Sequence, residues 1–175
     1  MSVLMQKPKT LVDVYRLLPE GTPIQVIQNQ FYMSPSPNFQ HFDVLDKISD
    51  ALKSEVKDQN SGRVFFAPLD VFLGDVSAVQ PDIFFLSNAN KHLIKKDGIY
   101  GAPDLIVEVL SPHNRNTDLV KKKALYEQFG VKEYFVVDPE DKTVFSFYLK
   151  HEKYTEPKKQ KGKFTSKILS KTFSF

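Results

Sequence analysis

Two carboxylates sit where burial needs an explanation. The stretch GAPDLIVEVLSP, Gly101 to Pro112, is aliphatic and β-branched enough for the middle of a sheet, yet it carries Asp104 and Glu108. An ionised carboxylate is costly to bury alone, so a cation from the chain or a bound metal ion must meet it. Side chains alternate along a strand, which puts Asp104, Ile106, Glu108 and Leu110 on one face and Leu105, Val107 and Val109 on the other. By strand order the neighbour is VQPDIFFL, where Asp82 follows Pro81. Two carboxylates on adjacent strands can supply oxygens to a small hard cation such as Mg²⁺, which takes few protein carboxylates and keeps several waters.

A third charged group comes from a helix. In NTDLVKKKALYEQFG, Leu119, Leu125, Tyr126 and Phe129 define an apolar face, and Lys122 falls near its centre, with Lys121 and Lys123 to either side. Lys122 therefore points inward, toward the strand that precedes it. Blander readings stand beside this one. Asp104 after Pro103 is either a residue of the turn into its strand or a group lining the cleft. A Pro-Asp dipeptide such as Pro81-Asp82 is a weak signal by itself. Glu108 with Lys122 is also what a buried ion pair fastening a helix to a sheet looks like. Asp118 reads as a first-turn carboxylate, paired with Lys122 at i,i+4. His41 either faces the cleft or packs at the core edge, and His92, His113 and His151 read as surface residues. There is no HExxH, Walker-type glycine loop or GxSxG elbow.

The elements that must position these groups follow from periodicity and punctuation. Thr10 and Asp13 form a predicted capping box for a helix bearing Leu11, Val14, Tyr15 and Leu18, which Pro19 to Gly21 ends. TPIQVIQNQFYM alternates as two short strands around Gln28 and Asn29. Phe42, Leu45, Ile48, Leu52 and Val56 recur at helical spacing until DQNSG. From Arg63 the period becomes that of strands, in RVFFAPLDVFL, SAVQPDIFFLS and APDLIVEVLS. NANKHLIKKDGIYG reads as one helical turn and a loop. The Lys122 helix has Thr117 as N-cap and Gly130 as its stop. KEYFVVDPEDKTVFSFYLK then supplies a central strand, a turn and the first arm of a closing hairpin. A helix on a sheet, then strand, helix and strand, make an α/β fold with a mixed central sheet flanked by helices, an added N-terminal helix and hairpin, and a C-terminal hairpin.

The 175 residues suit a single domain, residues 1–175, with a full hydrophobic core. No cysteine is present, which excludes a disulfide framework and thiolate metal sites. With no secretory apolar segment in MSVLMQKPKT, the cytoplasm is the expected location, and no apolar run is long enough to span a bilayer. The net charge of +3 announces no nucleic-acid binder, so its distribution matters more. Eight lysines between Lys150 and Lys171 face only Glu152 and Glu156. EPKKQKGK reads as a solvated loop of the closing hairpin in preference to a phosphate-binding strip.

Taken together, VQPDIFF, GAPDLIVEVLSP and NTDLVKKKALYEQFGVKEYFVVDP resemble the blocks of the Uma-type restriction endonuclease family, a branch of the PD-(D/E)XK nuclease superfamily. SPSPNFQH and FAPLDV add to the likeness, which runs from the first helix to the last hairpin. The resemblance implies a restriction-endonuclease-like core and a metal-dependent hydrolase acting on phosphodiester bonds, most readily in DNA. On that pattern Asp82 is the Asp of the PD motif and Glu108 the acidic residue of (D/E)XK. The lysine of that motif is missing at Leu110, and its counterpart is Lys122 on the next helix. Asp82, Glu108 and the Val109 carbonyl are then the expected ligands of Mg²⁺ or Mn²⁺. Where the family carries acidic residues near the N-terminus, this chain has Gln25 and Gln30. Gln40, His41 and Gln30 are expected to line the cleft. The superfamily also implies a homodimer, for which the aromatics of FSFYLKHEKY offer a surface. The competing function is a catalytically silent nuclease-like fold that binds nucleic acid or assembles, with Glu108 and Lys122 as a structural pair.

Overall fold

The computed structural model describes residues 7–34, 36–112 and 114–175. Its centre is a mixed sheet built from β3 (Gly62–Phe66), β6 (Ile83–Ser87), β9 (Leu105–Val109), β10 (Glu133–Val137), β11 (Thr143–Lys150) and β12 (Lys153–Tyr154). The spatial order is β12-β11-β10-β9-β6-β3. A further strand, β13 (Lys158–Lys161), pairs with β11. β9 and β10 run parallel, joined by a crossover through a π-helical turn, Thr117–Lys122, that continues as α3 (Lys123–Phe129). Every residue of β9 and β10 is buried, as strands covered on both faces require.

The alternation of these strands sorts the core into two halves. Leu105, Val107, Val109, Phe135 and Val137 meet Val44, Ile48, Leu52 and Val56 of α2 (Phe39–Asp58). Ile106, Leu110, Tyr134 and Val136 meet Leu125 and Tyr126 of α3. A second sheet, with the order β2-β1-β5-β4-β8-β7, joins the α3 half through Ile27, Val71, Leu73, Val79 and Ile99. It contains β1 (Ile24–Ile27), β2 (Gln30–Met33), β4 (Val71–Phe72), β5 (Ala78–Val79), β7 (Ile94–Lys95) and β8 (Gly98–Tyr100). A ribbon of β14 (Lys163–Ser166) and β15 (Lys171–Ser174) lays Phe164 and Phe173 on the α2 half.

Local sequence accounts for most boundaries. Thr10 and Asp13 close the predicted capping box of α1 (Leu11–Tyr15). Gln28 and Asn29 both take positive φ, 47° and 57°, the twist that a two-residue hairpin turn demands. Gly130 at φ 80° ends α3 where a left-handed residue is needed.

Five expectations change. Thr117 is not an N-cap but the first residue inside its turn, which Asn116 precedes without a side-chain capping bond. Phe42 is 56% exposed, and α2 buries His41 and Val44 at that end, so its inward face is turned about one residue from the aliphatic pattern. Past the 3₁₀ turn at Asn88–Leu93, the segment read as loop is the β7–β8 hairpin, because Gly98 admits a φ of 149° with the Asp70 carbonyl close against it. The lysine-rich segment is an edge strand, β13, because hydrogen bonding to β11 outweighs its polarity. The FSFYLKHEKY aromatics do not form an exposed surface. Phe147 is buried, and Phe145, Tyr148 and Tyr154 pack on the two core halves, because β11 is covered on both sides.

Candidate active site

β6 and β9 are antiparallel, with Ile83 opposite Val107. One residue further, that register sets Asp82 beside Glu108. The alternation that turns Phe84 and Ile106 toward α3 turns both carboxylates to the same side. Asp82 is fixed by the Val109 N–H, which donates to its Oδ2 at 2.7 Å. Its side chain keeps 20% exposure, while Glu108 is 2% exposed. The pair therefore presents an outer carboxylate to solvent and an inner one to the core.

The inner carboxylate is met from the crossover. Lys122 Nζ lies 2.9 Å from Glu108 Oε1 and 3.4 Å from Asp118 Oδ1, and all three side chains are buried. The Tyr126 hydroxyl donates to the same Glu108 oxygen at 2.8 Å. Tyr134 on β10 donates its hydroxyl to the Asp118 carbonyl at 2.9 Å, tying the π-turn to the sheet. Single π-turns within helices recur at functional sites, and this turn carries both Asp118 and Lys122.

Two buried carboxylates share one ammonium, and their protonation reflects it. Burial pushes the Glu108 carboxyl up to about 8, with Lys122 pulling it down and the charges of Asp82 and Asp118 adding to the rise. Burial likewise lifts Asp118 to about 6 against the pull of Lys122. For Lys122, burial opposes the charge, but Glu108, Asp118 and Asp82 outweigh it and hold the ammonium above its ordinary range.

His41 supplies a second cation. Its Nε2 stands 3.3 Å from Asp82 Oδ2. Burial lowers its pKa, but the hydrogen bond and charge of Asp82, with the Val109 carbonyl and Asp118, raise it overall. Its Nδ1 is buried without a hydrogen-bond partner among the described residues. The ring thus lies beside the Asp82 carboxylate and the Val109 carbonyl, two of the oxygens expected to face a metal.

That donor set fits a hard divalent ion. Among the described residues, Asp82 Oδ1 and Glu108 Oε2 take no hydrogen bond, so each carboxylate retains an oxygen for a ligand. No group of three His, Asp or Glu side chains gathers at metal-binding spacing among the described residues. An ion would therefore rest on two carboxylates, a carbonyl and water, as Mg²⁺ commonly does. A shallow cavity of about 160 Å³ opens at the adjoining ends of β9 and β10, lined by Gln40, Leu110, Arg115 and Asp138 among others.

The structure gathers Asp82, Glu108, Lys122, Val109 and His41, and places Gln40 in the neighbouring cavity. Gln30 does not reach the carboxylates; it accepts the Tyr32 hydroxyl at 2.7 Å, and that oxygen accepts from Lys121 Nζ at 3.0 Å. Asp104 is not a cleft residue. It lies at the far end of β9 and accepts from the Ser87 N–H, Asn90 and Lys132. Gln25 is a fastener, accepting from the Gln80 N–H and donating to Ser34. His92 and His151 are exposed; His113, and Pro35 of SPSPNFQH, lie outside the described residues. Tyr126 is the member that sequence reasoning passed over; a tyrosine in place of phenylalanine at the centre of an apolar face was its signal. Asp118 was read as a first-turn partner of Lys122, not as a buried member of the cluster around Glu108.

Comparison with known proteins gives the family and the fold. The family described as "Uma2: Putative restriction endonuclease" matches residues 11–173. The crystal structure of a putative nuclease belonging to DUF820 from Anabaena variabilis superposes with a TM-score of 0.77 at 24% sequence identity, covering 93% of this chain and 92% of that one. That likeness shows the shared fold. No curated protein matches the chain.

Proposed function

The chain belongs to the Uma2 family, and from that premise we propose that it is a Mg²⁺- or Mn²⁺-dependent endonuclease acting on DNA. The observation that carries this reading is the meeting of Asp82, Glu108 and Lys122, drawn from β6, β9 and the π-turn, at one end of the sheet. Asp82 and Glu108, with the Val109 carbonyl, are the groups that would hold the cation. A divalent ion so held lowers the pKa of a bound water and draws charge off the phosphate oxygens.

The chain's own residues do the rest. Lys122 is held charged by its carboxylate neighbours, and from beside Glu108 its ammonium would stabilise negative charge developing on the phosphoryl oxygens. Asp118 and Tyr126 position it: the first holds Nζ from the side, and the second fixes the shared Glu108 oxygen. Asp82 is kept in place by the Val109 N–H whether or not His41 is protonated.

A second reading has its own support. Lys122 and His41 already neutralise the carboxylates, as they would in a silent fold that only binds nucleic acid. Supercoiled plasmid with Mn²⁺ separates the two. Wild type is expected to nick and linearise it, Glu108→Gln and Lys122→Met to be at least about 100-fold slower, in line with the loss of one charged group from such a centre. Equal cleavage by all three proteins would place the activity elsewhere. A melting temperature that Mg²⁺ and Mn²⁺ leave unmoved would favour the silent fold, since a ligand of the native state raises it.

A further inference from the structure

The register of the central sheet continues beyond the carboxylates. Glu108 on β9 pairs with Val136 on β10, Val136 with Phe145 on β11, and Phe145 with Lys159 on β13. Paired residues point to the same face, so Asp82, Glu108, Val136, Phe145 and Lys159 form one row on the α3 side. With neighbouring strands about 4.8 Å apart, Lys159 stands roughly 14 Å from Glu108 along it. The segment that reads from composition as a solvated lysine loop is, in the fold, the outer end of the row that begins with the candidate metal ligands.

The row ends in a cationic platform. Lys159 Nζ lies 5.3 Å from the centre of the Phe145 ring, and the Arg115 guanidinium lies 5.9 Å from it. Arg115 also lines the cavity beside the site. Lys161, two residues on and on the same face, is exposed. The nearby acids are Asp138, 2.7 Å from Arg115; Asp141, 3.4 Å from Lys161; and Glu140, which lines the same cavity as Arg115. Lys161 and Asp141 are more than half exposed, so their pair is weak and readily exchanged for other anions; Arg115 is 53% exposed and keeps donors free beyond the one it gives to the more buried Asp138. Lys159 has no carboxylate within ion-pair distance among the described residues.

We propose that Arg115 and Lys159, set over Phe145 with Lys161 beside them, form the track that holds the phosphate backbone of a nucleic acid whose scissile bond lies at Asp82 and Glu108. This deepens the nuclease reading and rests on it. The track fixes the direction in which the strand leaves the site, past the ends of β9 and β10 where Arg115 lines the cavity, toward the β13 edge. Spaced as it is, it engages phosphates several nucleotides from the cut and reads no sequence, because lysine and arginine on phosphates position without specifying.

Binding of a fluorescein-labelled 30-base-pair duplex and of its single strand, measured by anisotropy across a salt series, tests the assignment. Arg115→Glu with Lys159→Glu is expected to weaken binding at least about tenfold at 100 mM salt and to flatten the log–log salt slope by about 0.9 for each lost phosphate contact. Lys53→Glu, on α2, is the control and should bind as wild type does. If the double variant keeps wild-type affinity and slope, the track is wrong while the nuclease reading stands. If the double variant loses binding but neither wild type nor Glu108→Gln cleaves plasmid with Mn²⁺, the track stands as a binding surface and the catalytic reading fails. If wild type binds neither duplex nor single strand, both fall. A larger loss for the single strand than for the duplex would make the track a single-strand groove.

Discussion

Asp104 and Glu108 invite comparison because so little separates them. They lie on the same strand, on the same face, four residues apart, and both are 2% exposed. Asp104 nevertheless has a lowered pKa and Glu108 one raised to about 8. Burial pushes both upward, so the difference lies in what opposes it. At Asp104 the Lys132 ammonium, the Ser87 N–H and the Asn90 amide converge at 2.6–2.9 Å and outweigh desolvation. At Glu108 there are Lys122 and Tyr126, both on one oxygen, and Lys122 is shared with Asp118. Asp104 is a finished structural joint, whereas Glu108 is an incomplete one with an oxygen to spare. Equal depth in the same strand yields a fastener or a poised ligand according to the number and exclusivity of its donors.

The lysine partners give the largest expected break in this comparison. Lys122→Ala would leave Glu108 and Asp118 buried without their cation, and is expected to cost about 3–5 kcal/mol near neutral pH by chemical denaturation. Lys132→Ala removes an ammonium that is 59% exposed, from a carboxylate with two other donors, and is expected to cost at most about 1 kcal/mol. Similar losses for the two would mean that sharing and burial of the cation do not set the difference.

Next in size is the pH dependence. A group whose pKa is raised by folding stabilises fully below its unfolded value and loses that contribution as pH climbs through the folded one. Glu108 and Asp118 are both raised, to about 8 and about 6, so their contribution should fade from pH 5 to 8 by on the order of 3 kcal/mol. Glu108→Gln should flatten this decline and be more stable than wild type at pH 8. Asp104 has the opposite sign: its contribution is present at neutral pH and fades only as acid lowers the pH through the carboxylate range. Urea melts of wild type and Glu108→Gln at pH 5, 6.5 and 8 check both. Parallel pH profiles for the two proteins would remove Glu108 as the source.

The smallest effect on cleavage is expected at Asp104 itself. Asp104→Asn keeps an acceptor for the Ser87 N–H but loses the charge that Lys132 meets, for about 1–2 kcal/mol. Its plasmid cleavage should match wild type, because no Asp104 contact reaches Asp82 or Lys122. A cleavage loss comparable to that of Glu108→Gln would return Asp104 to the site.

Much of this was legible beforehand. Alternation in GAPDLIVEVLSP placed Asp104 and Glu108 on one face, and helical spacing turned Lys122 inward, because both periods follow from backbone geometry alone. The capping box at Thr10 and the left-handed stop at Gly130 were equally local. Less legible was the inward turn of His41 at the start of α2, since Phe42 fits the aliphatic pattern better; the choice was made by Asp82 and the Val109 carbonyl at the sheet end. Tyr126 was visible as a residue but not as a partner of Glu108, whereas Asp118 was legible as a partner of Lys122 through their i,i+4 spacing.

By itself the sequence determined which strands are buried on both faces, which of their residues are charged, and that Lys122 must find an anion in the core. Tertiary structure alone decided the pairings: that Asp82 stands beside Glu108, that Glu108 shares the lysine with Asp118, and that Lys158–Lys161 closes the sheet edge in line with the carboxylates. The reason is that period and capping are properties of neighbouring residues, whereas strand register and donor counts depend on which distant segments meet. The net charge of a buried cluster is a sum over all of them.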